Sequence, residues 1–373
     1  MRTPLRTAWQ RLIVLVCLIL GGLLTMGAGG PVLQGGQPGD LPLYPEQISA
    51  YRSAAQLPPL SAPASLLGDS ATGQVLAQHE ASAPRLMAST TKIMTALLVL
   101  ERTHPADVVV VSPAALIGGS TMNLAAGETL TVQDLLWGLL LNSGNDAALA
   151  LAEHVAGSEA AFVALMNERA AQLGMLNTHF ANPHGLDAPD HYTSAYDLWL
   201  ATQAAMQYPV FHEMVATPAH TAAGHSLRST NELLTLDPSA NGVKTGTTDG
   251  AGQCLVASVN RRSHRVIGVV LGSADRYADA QALFAHFDAH WQWAAAPQPA
   301  GPAAWLRLPN GEPVRVATAI PPDLFLPLWQ WPLLRVQPVL QTADLAQPAG
   351  VIRWYLGNQL LAEAPASFLA VGE

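Results

Sequence analysis

A short polar run followed directly by an apolar run constrains this 373-residue chain more than any other feature. Residues 89–91 read Ser-Thr-Thr, Lys92 follows, and residues 93–98 are almost entirely apolar. Hydroxyl residues are favoured where a helix begins, and the apolar run indicates a buried helix after the turn. Positions i and i+3 share a helix face, so the Ser89 hydroxyl and the Lys92 amine are expected side by side. A serine beside a potential amine base is, in outline, an activated nucleophile.

The use of basic residues supports this interpretation. Of the 18 basic residues, 16 are Arg and only two are Lys, at positions 92 and 244. Arg stays protonated in proteins, whereas a buried Lys shifts its pKa readily and can act as a base. Lys244 also lies in a polar motif, NGVKTGT at 241–247. A single Ser-x-x-Lys is most often a solvated helix face, but two lysines in two such motifs argue for chemistry.

Composition excludes several classes of protein. Half of the residues are apolar and 12% are charged, which supports a large core, and the length predicts two domains. A net charge of −9, with no basic run beyond the N-terminus, argues against nucleic-acid binding. Cys17 falls in an N-terminal apolar segment, so the folded part holds one thiol, Cys254, and no internal disulfide is expected.

The N-terminus predicts export. Three arginines in the first 11 residues precede an uncharged run at 12–30 that ends in small residues, as in a cleavable signal peptide. The 19-residue run is also close to membrane-spanning length, so an uncleaved signal anchor is the alternative. Lipidation of Cys17 is not expected, because Leu15 and Val16 precede it. The body of the protein is therefore predicted on the extracytoplasmic side, in the periplasm or attached to the membrane through residues 12–30.

The pattern of the chain predicts two folded parts. After the signal or anchor at 1–30, a Pro/Gly-rich linker is expected at 31–60 and a catalytic domain at 61–293. Within that domain, helical patterns from Thr131 to Met206 separate the Ser89 helix from β runs that follow Gly242. A second linker at 294–303 then leads to hairpin-like runs, which predict a small β-sandwich-like domain at 304–373.

Three motifs stand in order along the chain: Ser89-Thr90-Thr91-Lys92, Ser143-Gly144-Asn145 and Lys244-Thr245-Gly246. They resemble the S-x-x-K, S-x-N and K-T-G set of the penicillin-interacting serine enzymes. From about Ala64 onward the chain resembles the low-molecular-mass penicillin-binding proteins that are D-alanyl-D-alanine carboxypeptidases. The resemblance implies an α/β fold of the β-lactamase/transpeptidase-like type, an antiparallel sheet with helices and an all-helical insertion, followed by a small all-β domain.

The resemblance also implies roles for the motif residues. Ser89 attacks the carbonyl of the penultimate D-alanine of a peptidoglycan stem pentapeptide, and Lys92 accepts its proton. Lys92 must be neutral for this, and burial beside Lys244 lowers its pKa. Ser143, with Lys244 alongside, passes a proton toward the leaving amine, and Asn145 orients Lys92 and holds the substrate.

Substrate recognition is expected on the K-T-G strand. Thr245, Gly246, Thr247 and Arg276 are the implied substrate-binding residues, with Thr245 and Arg276 on the terminal carboxylate. Backbone N–H groups of Ser89 and Thr247 form the oxyanion hole. β-Lactams are the expected inhibitors, and no cofactor or metal is implied.

Three positions depart from the family pattern. Met87 stands in place of a common Pro, Thr247 in place of a common His, and Thr230 where some relatives carry Arg. The last two changes bear on recognition of the carboxylate.

Other functions stay open or are disfavoured. A D,D-endopeptidase that cuts cross-links uses the same residues, and a catalytically silent penicillin-binding scaffold is a further alternative. A class A β-lactamase would need a Glu-x-x-Leu-Asn loop, which the sequence lacks. His286 and His290 are spaced for a shared helix face, but without His-Glu-x-x-His they do not predict a metal site.

Overall fold

The computed structural model describes residues 46, 49–50, 53, 56–262, 264–308, 311–341 and 348–369. The predicted signal segment at 1–30, and with it membrane attachment through residues 12–30, lies outside these residues, as does most of the predicted linker at 31–60. In the described part of the chain no single helix is long and apolar enough to cross a membrane. One pair of successive helices, Asn145–Ala156 and Glu159–Leu173, meets the same criteria of length and composition but is bent by 84°.

A five-stranded antiparallel sheet forms the centre of the catalytic part, in the order β2-β1-β9-β8-β7. Its strands are β1 (Ala64–Asp69), β2 (Val75–His79), β7 (Ala240–Thr248), β8 (Gly252–Arg261) and β9 (His264–Ser273). Two short antiparallel pairs lie outside it: β3 (Val108–Val110) with β4 (Thr129–Thr131), and β5 (Ala219–Ala222) with β6 (His225–Arg228).

The sheet separates two apolar cores. Side chains of a strand alternate between its two faces. On β8, Cys254 and Val256 belong to one cluster of buried residues, and Leu255, Ala257 and Val259 belong to the other. Because helices cover both faces, the strand reads as a continuous apolar run instead of an alternating one. This is why the sequence shows β8 and β9 clearly.

Eight α-helices complete the described part of the catalytic region. They are α1 (Lys92–Arg102), α2 (Val132–Leu140), α3 (Asn145–Ala156), α4 (Glu159–Leu173), α5 (Ala195–Ala205), α6 (Pro209–Ala216), α7 (Leu233–Leu236) and α8 (Arg276–His290). Thr131 caps α2 in a capping box with Asp134, and Ser158 and Ser194 cap α4 and α5 through their side chains. The predicted helical insertion is therefore confirmed. It could be predicted because the side chains that start its helices act within one turn.

Several short elements were not predicted. Helix α6, the β5–β6 hairpin and α7 lie between the helical insertion and β7, and none of these helices and strands has more than eight residues. Elements this short carry too few turns or alternations for a periodic pattern. Tertiary packing fixes them instead: Gly242 of β7 packs so closely on α6 that a Cβ there would lie 2.9 Å from Val215 Cγ2.

The C-terminal part is all-β, as predicted. Its strands are β10 (Trp291–Ala295), β11 (Trp305–Arg307), β12 (Pro313–Ala317), β13 (Asp323–Pro327), β14 (Leu334–Leu340), β15 (Gly350–Leu356) and β16 (Gln359–Leu369). Five of them form a sheet in the order β11-β12-β16-β15-β14, and β10 pairs with β13. Strand β10 runs to Ala295, two residues into the predicted second linker. The fully buried Trp354 anchors the sheet, and its Nε1 donates to Pro297 O at 2.7 Å.

The tryptophans next to this boundary pack on one phenylalanine. Trp291 and Trp293 of β10 stack on Phe325 of β13, with ring centroids 5.3 and 4.8 Å apart. Trp293 also stacks on His264, with ring centroids 3.5 Å apart. These aromatic rings therefore join strand β9 to the C-terminal strands.

Candidate active site

The turn that carries Ser89 is held between two glycines. A 3-10 turn, Ala88–Thr91, leads directly into α1, and Ala88 has a φ of 47°, in the left-handed region that costs a residue with a side chain. A Cβ on Gly185 would lie 2.1 Å from Ala88 O, and a Cβ on Gly246 would lie 2.8 Å from Ser89 N. Two chain segments thus approach the Ala88–Ser89 peptide too closely for any side chain on either glycine.

Lys92 lies fully buried beneath Ser89. Its Nζ is 2.9 Å from Ser89 Oγ, 2.8 Å from Asn145 Oδ1 and 2.5 Å from His184 O. Burial, and secondly the charge of Lys244, hold the pKa of Lys92 well below its usual value. The amide and carbonyl oxygens can only accept, so a neutral Lys92 uses its two hydrogens on them. Its lone pair then faces the Ser89 hydroxyl, which is the geometry of a general base.

Ser143 and Asn145 lie where α2 ends and α3 begins. Ser143 has a φ of 59°, and its buried Oγ has no hydrogen-bond partner among the described residues. Asn145 is anchored at both ends, since its N donates to Ser120 O at 2.7 Å and its Nδ2 to Gly118 O at 2.8 Å. Asn145 therefore presents a fixed acceptor to Lys92, while Ser143 keeps an uncommitted hydroxyl at the wall of the cleft.

Lys244 is the second buried lysine of the site. It lies on β7 with 1% of its surface exposed, and its Nζ donates to Thr245 O at 3.0 Å. Burial, and secondly the charge of Arg276, lower its pKa to about 7. Lys244 can therefore change its charge near neutral pH.

The cleft is lined by hydroxyls and one guanidinium, and also by Glu232 and Asp275. Thr230 Oγ1 lies 2.6 Å from Thr245 Oγ1. Arg276 donates to Gly246 O at 2.9 Å and Gln253 Oε1 at 3.0 Å, and also bonds Thr247 Oγ1. The guanidinium is thereby fixed beside β7.

A single cleft of about 570 Å³ joins the two ends. Its lining includes Ser89, Ser143, Thr230, Thr245, Gly246, Thr247 and Arg276. The structure thus places all nine sequence-predicted site residues in or directly behind this cleft: Ser89, Lys92, Ser143, Asn145, Lys244, Thr245, Gly246, Thr247 and Arg276. Their assigned roles stay predictions.

Some residues of the site were missed by the sequence reasoning. Ser120, Gln253 and Tyr277 also line the cleft. Tyr277 OH donates to Thr230 O at 3.0 Å and accepts from Glu232 N at 3.1 Å, so it anchors the loop that carries Thr230. Because Tyr277 directly follows Arg276 in the sequence, its position could have indicated that it lies at the cleft. Nothing in the sequence marks Ser120.

No metal centre is found in the part of the chain that the structure describes. There, no group of three or more His, Cys, Asp or Glu side chains could hold a metal ion. The rings of His286 and His290 have centroids 4.6 Å apart, which is close contact between neighbouring turns of α8.

Comparisons with known proteins agree with this geometry. The family model described as D-alanyl-D-alanine carboxypeptidase matches residues 51–275. D-alanyl-D-alanine carboxypeptidase DacD of Salmonella typhimurium is 33% identical over 341 residues, which cover 85% of this chain and 87% of the relative. DacF of Bacillus subtilis is 39% identical over 214 residues, which cover 54% of this chain and 55%, about half, of that relative.

A solved structure extends the likeness to both parts of the protein. The crystal structure of penicillin binding protein 6B from Escherichia coli superposes with a TM-score of 0.65 at 31% identity. The match covers 84% of this chain and 96% of that chain. The family model spans more than half of the sequence, and the two longer matches span most of it. This chain belongs to the D-alanyl-D-alanine carboxypeptidase family.

Proposed function

We propose that this protein removes the terminal D-alanine from peptidoglycan stem pentapeptides on the extracytoplasmic side of the membrane. The family's serine-type carboxypeptidase chemistry gives the reaction class. The observation that carries the proposal is the arrangement of Lys92, whose two carbonyl-type partners leave its lone pair for the Ser89 hydroxyl.

Acylation begins with proton transfer from Ser89 to Lys92. Ser89 Oγ attacks the carbonyl of the penultimate D-alanine, and the N–H groups of Ser89 and Thr247 receive the developing negative charge. The Lys92 ammonium then has a third hydrogen. The Lys92 ammonium gives this proton to Ser143 as the Ser143 hydroxyl gives its own to the amine of the departing D-alanine, so the peptide C–N bond breaks and Lys92 is neutral again.

Recognition of the leaving group takes place at the far end of the cleft. Thr230, Thr245 and Arg276 present hydroxyls and a fixed cation to the terminal carboxylate. After D-alanine leaves, water attacks the ester on Ser89, with Lys92 again as the base, and the tetrapeptide is released. A β-lactam would acylate Ser89 by the same steps, and the reaction would stop at the ester on Ser89.

Export and membrane attachment rest on the N-terminal sequence. The arginines before residue 12 and the apolar run at 12–30 support translocation of the body of the protein, with residues 12–30 as anchor or cleaved signal. Cell fractionation combined with the N-terminal mass of the mature protein tests this. A full-length chain in the cytoplasmic fraction would contradict it.

The activity is tested with purified protein and a synthetic stem pentapeptide. We expect stoichiometric release of free D-alanine and covalent labelling by a fluorescent penicillin, both lost in Ser89→Ala. Mass spectrometry of digested peptidoglycan separates the outcomes: loss of one D-alanine per stem supports the carboxypeptidase, and loss of cross-links supports the endopeptidase. If the wild type neither releases D-alanine nor is labelled by penicillin, the catalytically silent scaffold is supported.

A further inference from the structure

A buried chain of hydrogen bonds connects a distant segment to the turn that carries Ser89. Ala181 N donates to His191 Nδ1 at 2.9 Å, and His191 Nε2 lies 2.9 Å from Thr91 Oγ1. Thr91 Oγ1 donates in turn to Ala88 O at 2.8 Å. Thr91 is fully buried and His191 is 2% exposed, so water does not compete for these bonds.

The three contacts fix the position of every proton in the chain. His191 Nδ1 accepts from a backbone N–H, so it carries no proton, and in neutral His191 the proton is on Nε2. The single Thr91 hydroxyl hydrogen is committed to Ala88 O, so Thr91 Oγ1 accepts from His191 Nε2. Burial lowers the pKa of His191 to about 4, which keeps this neutral form across the range in which a lysine base works.

The carbonyl at the end of this chain belongs to the peptide unit of Ser89. In a planar trans peptide the C=O and N–H groups point in opposite directions, so an atom that holds Ala88 O also sets the direction of Ser89 N–H. That peptide needs support, because Ala88 has a φ of 47°. Gly185 packs against Ala88 O, and Gly246 packs against Ser89 N.

We propose that Thr91 and His191 are positioning residues, which orient the Ser89 N–H toward the oxyanion through the Ala88 carbonyl. The inference rests on the proposed function, since it concerns the acylation of Ser89. Neither residue touches the reacting atoms, and neither lines the cleft. Their effect falls on the transition state, where negative charge develops, and not on substrate binding.

The test is Thr91→Val, which keeps the shape of the side chain and removes the hydroxyl. We expect acylation by a penicillin, and kcat for D-alanine release, to fall about tenfold, with KM unchanged. Removing an oxyanion-hole donor outright costs about 10²–10³ in rate, and here the donor is only loosened. The infrared stretch of the acyl-enzyme carbonyl should move to higher frequency and broaden, since its hydrogen bonds weaken.

Two variants keep the test specific. Thr91→Ser retains the hydroxyl and should restore the rate and the carbonyl band. Thr95→Val is the matched control, because Thr95 lies equally buried on α1 and donates to Pro183 O at 2.6 Å but does not contact Ala88. It should melt at a lower temperature, as Thr91→Val does, yet acylate within about twofold of the wild type.

The outcomes separate this inference from the proposed function. If the wild type is acylated and Thr91→Val acylates as fast as Thr95→Val, or shows an unshifted carbonyl band, the positioning role is wrong. If Thr91→Val does not fold, His191→Phe takes its place and should show the same band shift with a smaller rate loss. If the wild type itself neither labels nor releases D-alanine, the proposed function fails and this role fails with it.

Discussion

The two ends of the cleft are built on different principles. At the catalytic end Lys92 is fully buried, and each of its polar contacts comes from a fixed protein atom. At the recognition end Thr230 and Thr247 are exposed. Their side-chain hydrogen bonds are made by threonine hydroxyls, to Thr245 and to Arg276. The difference is one of exposure: the catalytic end is closed off before substrate arrives, whereas the threonines of the recognition end are open to solvent and substrate.

Burial explains the contrast in physical terms. A lysine acts as a base near neutral pH only if its ammonium form is disfavoured, and removal from water does this most strongly. A carboxylate of the substrate needs the reverse, a cation that stays charged. In the proposed function Arg276 supplies it, because a guanidinium does not lose its proton.

Removing the base should give the largest effect. Lys92→Met keeps the length of the side chain and deletes the lone pair, so we expect penicillin acylation and D-alanine release to fall by about 10³-fold or more. Lys92→Arg is the matched control for charge and should be equally inactive. Melting curves distinguish lost chemistry from lost folding. More than a tenth of wild-type activity in folded Lys92→Met would exclude Lys92 as the base.

Removing the second lysine should shift the pH dependence of acylation. In the proposed mechanism the neutral form of Lys92 is the active one, so we expect the rate to rise with pH through its lowered pKa. Lys244→Met deletes a positive charge, which raises the pKa of Lys92 and moves the acid limb to higher pH. The rate itself should fall about 10²-fold, because Lys244 is expected alongside Ser143 in the proton transfer to the leaving amine.

The shift is measured as the acylation rate constant against pH for both proteins. Lys244 has a pKa of about 7, so its charge and its influence fade above that pH. The largest difference in the profiles is therefore expected on the acid side. An acid limb that stays in place, or moves to lower pH, would show that Lys244 does not act on Lys92 through its charge.

Adding a cation at the recognition end should give the smallest effect. Thr230 is exposed beside Thr245, so Thr230→Arg has room to reach a terminal carboxylate. We expect KM to fall tenfold or less, about 1.4 kcal/mol at most, because the new pair is solvent-exposed and near Arg276. Thr230→Gln, with similar reach but no charge, is the control. An equal gain on a C-terminal amide substrate would contradict carboxylate recognition.

The local part of the site could be predicted from the sequence. Ser89 and Lys92 are three residues apart, so helical spacing alone brings them together, as the 2.9 Å contact shows. The caps of α2, α4 and α5 follow from side-chain chemistry within one turn. Strands β8 and β9 were evident because burial on both faces leaves an unbroken apolar run.

The rest depends on contacts between distant segments. His184 O reaches Lys92 from 92 residues away, and it is a backbone atom that no residue type reveals. Ala88 and Ser143 adopt left-handed φ values that local preference disfavours in residues other than glycine, so only the packed structure shows them. For the same reason the bonding between His191 and Thr91 has no counterpart in sequence spacing.

Strand β7 is the outermost strand on one side of its sheet. Proteins usually guard such a border with proline, a bulge or an inward-pointing charge, since an unguarded one can template association with other chains. Strand β7 has one such feature, a register irregularity between Ala240 and Gly242. The stretch beyond it has little freedom to change, because Thr245 and Gly246 line the cleft and a Cβ on Gly246 would lie 2.8 Å from Ser89 N. Solubility and catalysis therefore place opposing demands on the same few residues. Substitutions along β7 that raise solubility should lower turnover.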